Sequence, residues 1–94
     1  MAGNEVSSAH THTSAILVTR RTRLKGIVAT YESGASGNVV LYDNPSAASG
    51  KVLIEFDETT QGTVDIIVPG DGILAKQGIY ALLPANTTIT IFYQ

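Results

Sequence analysis

The apolar residues of this 94-residue chain fall in short runs rich in β-branched side chains, and nowhere does a 3.6-residue period last three turns. That pattern excludes a helical fold, since an amphipathic helix needs its apolar stripe to recur at i, i+3, i+4 and i+7. The runs read as strands at residues 14–19, 24–31, 38–42, 52–57, 63–68, 79–83 and 87–93, with a further short one at 73–75. Between them lie turn residues. Segments 33–37, 43–50 and 69–72 are built from Gly, Ser, Asn, Asp and Pro, where glycine accepts positive φ and proline presets φ for a turn. Strands at spacings of about 8 to 12 residues predict an all-β fold: an antiparallel β-sandwich or jelly roll of seven to eight strands. An extended polar N-terminal arm, residues 1–13, is expected to precede a single sandwich domain, residues 14–94.

Composition bears on what stabilises so small a sandwich. A chain of this length closes one core, and at this size a disulfide, a metal or a partner chain commonly supplements it. There is no cysteine. Charged residues are only 15% of the chain against about 25% in an average domain, while apolar residues reach 44% and the mean hydropathy is +0.16. This leaves a thin polar coat. In the 52–57 strand Val52, Ile54 and Phe56 are expected to face the core, with Leu53, Glu55 and Asp57 outside. In the last strand Ile89, Ile91 and Tyr93 take one face and Thr88, Thr90 and Phe92 the other. The runs Ile66-Ile67-Val68 and Tyr80-Ala81-Leu82-Leu83 are apolar without alternation, which normally means burial on both faces. In a two-layer protein the outer face of such a strand needs a neighbouring chain. Tyr80, Leu82, Ile91 and Tyr93 are therefore the residues expected to pack in the core or between copies.

Charge is uneven along the chain. Arg20, Arg21, Arg23 and Lys25 against Glu5 give residues 1–31 a charge of +3; Lys51 and Lys76 against seven acids give residues 32–94 a charge of −5, together the chain's −2. Such asymmetry suits head-to-tail contact between copies or docking on an oppositely charged assembly. On a strand, Arg21, Arg23 and Lys25 would project from one face as a basic stripe. Nucleic acid is not the expected partner, because no aromatic is interleaved with the cluster and the remaining chain is acidic.

The catalytic vocabulary is thin. There is no G-x-S-x-G elbow, no P-loop and no D-x-[DN]-x-[DN]-G calcium loop, and the carboxylates Glu55, Asp57 and Glu58 read as outer-face charge. No enzyme activity, cofactor or small-molecule substrate is expected. His10 and His12 have metal-ligand spacing, but two imidazoles in a polar arm do not complete a site within one chain. They are read instead as partner contacts, together with Arg20, Arg21, Arg23 and Lys25. No apolar run is long enough for a signal peptide or membrane span, so the chain is expected to be made in a cytoplasm and to contact no membrane, and the sequon Asn86-Thr87-Thr88 to go unmodified.

The strand-and-turn segments Leu24-Lys25-Gly26, Val40-Leu41-Tyr42-Asp43-Asn44, Pro69-Gly70-Asp71-Gly72-Ile73, Gly78-Ile79-Tyr80-Ala81 and Thr88-Ile89-Thr90-Ile91-Phe92-Tyr93 occur here in a set order. In that order, from about Thr13 to Tyr93, the chain resembles a group of small β-rich virion proteins of tailed bacteriophages. The resemblance implies a capsid decoration (cement) protein located in the virion, a homotrimer that binds the major capsid protein and bridges its subunits with an N-terminal arm. The alternative it implies is a tail- or fibre-associated jelly roll that binds a host receptor or carbohydrate.

Overall fold

The computed structural model describes residues 6–33, 37–58 and 62–94. Among them are nine strands and no helix: β1 Ser7–Thr11, β2 Ala15–Val18, β3 Thr22–Tyr31, β4 Gly37–Asp43, β5 Lys51–Glu58, β6 Gly62–Ile67, β7 Ile73–Ala75, β8 Ile79–Leu82 and β9 Thr87–Tyr93. They form two antiparallel sheets, one in the order β1-β9-β3-β6 with β7 also on β3, the other in the order β2-β8-β4-β5.

The register explains the connectivity. β6 pairs with Gly26–Tyr31 and β7 with Thr22–Leu24, both antiparallel to β3. They are thus one edge strand interrupted by residues 68–72. Counted as one, they make the pairs β1·β9, β2·β8, β3·β6/β7 and β4·β5 a single long hairpin, rolled up so that β9 also meets β3 and β8 meets β4. This is the jelly-roll arrangement of an eight-strand sandwich. Its extents are 43 × 23 × 18 Å. Ten residues of strand span about 33 Å, so the long axis follows the strands.

The interruption of the edge strand depends on Gly72. Its φ is +85°, and a Cβ there would stand 2.5 Å from the carbonyl oxygen of Leu24, so only glycine lets the loop return onto β3. The Val68 N–H donates to the Lys25 carbonyl at 3.0 Å and closes the loop's other side.

Alternation puts Leu24, Ile27, Ala29 and Tyr31 of β3 and Ile89 and Ile91 of β9 against Val39 and Leu41 of β4 and Ile79 and Ala81 of β8, all essentially solvent-free. Each large side chain so buried contributes roughly 1.5–3 kcal/mol. Thr88, Thr90 and Phe92 lie on the opposite face of β9, as the sequence predicts.

Two local features depart from the expected pattern. β5 pairs Leu41 with Ile54 but Tyr42 with Val52, leaving Leu53 as an extra residue in a β-bulge. The bulge reverses the parity on either side of it: Leu53 packs against the core and Val52 is 43% exposed, the reverse of strict alternation. Residues 7–11, expected in a polar arm, instead pair along β9 as the edge strand β1. Their polar composition is compatible with an edge, where one row of backbone groups and one face meet water. Residues 1–5 lie outside the described residues.

Candidate interaction surfaces

The outer face of the β2-β8-β4-β5 sheet is apolar across its full width. Ile16 opposes Tyr80, Tyr80 opposes Tyr42 and Tyr42 opposes Val52, so one transverse row crosses all four strands. The next row places Leu82 beside Val40 and Val40 beside Glu55. Ile16, Val52 and Leu82 are 44, 43 and 37% exposed, whereas Val40 is covered by its neighbours. Glu55 accepts from Asn38 Nδ2 at 2.7 Å and bounds the patch on one side. Contiguous apolar surface of this kind, rimmed by polar groups, marks an interaction site.

Of the packing residues named from sequence, Tyr80 and Leu82 stand on this outer face. Ile91 is wholly buried between the sheets, and Tyr93 lies half-buried against the core. The continuous runs Ala15-Ile16-Leu17-Val18 and Val39-Val40-Leu41-Tyr42 carry the same signal as Tyr80–Leu83, and would have added Ile16, Val40 and Tyr42 to the patch. The run Ile66-Ile67-Val68 behaves differently, for Ile66 packs inward and Ile67 is 83% exposed.

Arg21, Arg23 and Lys25 alternate with buried Thr22, Leu24 and Gly26, although Arg21 precedes β3 and Lys25 is a bulge residue skipped in the pairing with β9. Lys25 Nζ reaches the Gly70 carbonyl at 3.4 Å, and the Arg20 guanidinium sits 5.7 Å from the centre of the Tyr93 ring. Arg20, Arg21 and Arg23 are exposed. Their backbone is held firmly: Arg23 exchanges two 2.9 Å hydrogen bonds with Gln94, and Thr22 Oγ1 donates to the Gln94 carbonyl.

The loops at the same end are fixed by two side chains. Asn44 Oδ1 accepts from the N–H groups of Ser46 and Ala47 at 2.8 and 2.9 Å, and its amide donates to the Ser49 carbonyl, which organises residues 44–50. Asp43, 8% exposed, accepts from the N–H groups of Lys76 and Gln77 at 3.0 and 2.8 Å. Burial by itself would raise the Asp43 pKa. The N–H groups of Gln77, Lys76 and Gly78 and the Lys51 charge outweigh it, and the pKa lies below the ordinary 3.8.

The two histidines separate. His10 lies on β1 with Nδ1 2.8 Å from Thr90 Oγ1, while His12 lies beyond the strand's end in a turn made by Thr11 and Thr13. His12 lines a polar depression of about 320 Å³ with Glu32, Asn86, Thr87 and Thr88. Among the described residues no group of three or more His, Cys, Asp or Glu side chains is placed to hold a metal ion.

Compared with protein-family models, curated proteins and solved structures, the chain finds no match.

Proposed function

We propose that this chain is a non-enzymatic structural protein of a tailed-phage particle: a capsid decoration protein that associates with further copies of itself and bridges subunits of the major capsid protein. The resemblance in segment order suggests the setting. The observation that carries the binding role is the apolar row Ile16-Tyr80-Tyr42-Val52 with Leu82 beside it, which a solitary sandwich would leave in water. Covering it with a second copy stabilises the assembly by about 25 cal/mol for each Å² of apolar area removed from water. Many equivalent contacts on one particle then add avidity.

Sedimentation with emptied phage heads tests the reading. Wild-type protein is expected to pellet with the heads, and Leu82→Glu to stay in the supernatant while retaining a cooperative melt. Pelleting of both alike would remove the apolar face from the account, and failure of wild type to bind would end the capsid reading. The depression at His12, Glu32 and Asn86 favours a second reading, a tail-associated module whose carboxylate, amide and hydroxyl groups hold sugar hydroxyls. A glycan array silent with wild-type protein would discard it.

A further inference from the structure

The rolled hairpin sorts the chain's charges by end. Residues 19–21, 44–50 and 76–78 connect strands at one end of the sandwich, residues 68–72 interrupt the edge strand near it, and β3 and β5 begin there. All six Lys and Arg residues fall in this region: Arg20 and Arg21 before β3, Arg23 and Lys25 in its first turns of pleat, Lys51 opposite Asp43 at the start of β5, and Lys76 after β7. Against them stand only Asp43 and Asp71, leaving +4. Glu32 follows β3 at the other end, with Glu55 of β5 and Asp65 of β6 near the middle, for a charge of −3 among the acids whose side chains are described. Glu5 lies outside the described residues. Lys51 and Lys76 belong to the acidic part of the sequence, yet the topology carries both to the basic end.

The separation runs along the 43 Å axis, several times the roughly 8 Å over which physiological salt screens a charge. The ends therefore act as distinct poles. Like poles repel, so parallel side-by-side stacking of copies is disfavoured, and opposite poles attract. The cations are also close to the apolar row, because Tyr42 and Val52 each precede or follow by one residue the Asp43–Lys51 pair at that end. A contact made at the basic end thus continues onto the apolar face.

We infer that copies of this chain associate head to tail, the basic end of one meeting the acidic half of the next. The inference rests on the self-association just proposed and specifies its polarity. Such a contact is heterologous, and repetition closes a ring when the rotation allows, three copies included.

Charge reversal with cross-rescue tests it. Arg20→Glu with Arg21→Glu and Arg23→Glu gives a copy acidic at both ends; Glu32→Lys with Glu55→Lys and Asp65→Lys gives one basic at both, all six being exposed side chains. In sedimentation velocity each triple variant is expected to be monomeric at concentrations where wild type is oligomeric. Mixed in equal amounts they should form a complex, with even copy numbers only. Raising salt from 0.05 to 0.5 M should weaken wild-type association about tenfold. Circular dichroism melts on each variant check the fold. An oligomer indifferent to salt and to both reversals overturns the polarity and leaves the apolar reading standing. A wild-type monomer at every concentration overturns both.

Discussion

On the outer face of the β1-β9-β3-β6 sheet, Thr88, Thr30 and Thr63 stand abreast across three strands, and His10, Thr90, Val28 and Asp65 form the next row. On the outer face of the other sheet the corresponding rows are Ile16-Tyr80-Tyr42-Val52 and Leu82-Val40-Glu55. Both faces have the same pleat and similar β-branched content. The first offers hydroxyls to water at most steps; its apolar exceptions are Val28 and, flanking Gly26, Phe92 and Ile67, where the Phe92 ring covers the gap a missing side chain leaves. The second offers almost nothing polar until Glu55. One sandwich thus has a face suited to solvent and a face suited to protein, and the difference lies in threonine against isoleucine, leucine and tyrosine at equivalent outward positions.

Substitutions can separate the core, which both sheets share, from the faces, which they do not. The largest effect belongs to the core: Ile91→Ala should cost about 3 kcal/mol and lower Tm by roughly 15 °C, whichever face is left intact. Asp43→Ala comes next, at about 2 kcal/mol in urea unfolding, because the Lys76 and Gln77 N–H groups lose their acceptor at the end where the apolar row begins. The sign with pH follows. A folded pKa below 3.8 means that Asp43 contributes fully above 3.8 and that this contribution is lost as pH falls from there through the lower folded pKa, so the gap between wild type and Asp43→Ala should narrow in acid. Ile16→Ser with Val52→Ser should change unfolding free energy by less than about 1 kcal/mol but weaken self-association at least tenfold, measured by sedimentation equilibrium. The smallest effect is expected for Thr30→Val on the hydroxyl face, within about 0.5 kcal/mol of wild type in melting and without change in mass. A large loss of association from Thr30→Val would erase the distinction between the faces.

Most of the fold is legible in the sequence because its strands alternate and its turns carry Gly, Pro and Asn where the backbone demands them. The two-faced split of β9 is readable from Thr88 to Tyr93 alone. What escapes is any residue whose position depends on a partner strand. Leu53 looks outward by count, and only the pairing of Leu41 with Ile54 and of Tyr42 with Val52 makes it a bulge facing the core. Lys25 is likewise a bulge residue, against β9. Ser7 to Thr11 has too few apolar residues to signal a strand, and owes its conformation to the free edge of β9. The apolar face is half visible in Tyr80 and Leu82; that Ile16 and Val52 stand in line with Tyr80 is a matter of register, which a single sequence does not encode locally.

The position of β9 in its sheet has a consequence for synthesis. Its partners β1 and β3 lie some eighty and sixty residues earlier, and of all the pairings only β4 with β5 joins strands adjacent in sequence within one sheet. Until residues 87–93 are available, β3 lacks one whole neighbour and β1 has none, so the first sheet cannot be completed before β9 is made. The β4–β5 hairpin can form early, but the sandwich closes only after β9 is made, which makes folding slow and dominated by long-range contacts. Through that interval the newly made chain carries the apolar residues of both sheets unburied, and a cell producing it in quantity would feel that as a demand on its chaperones.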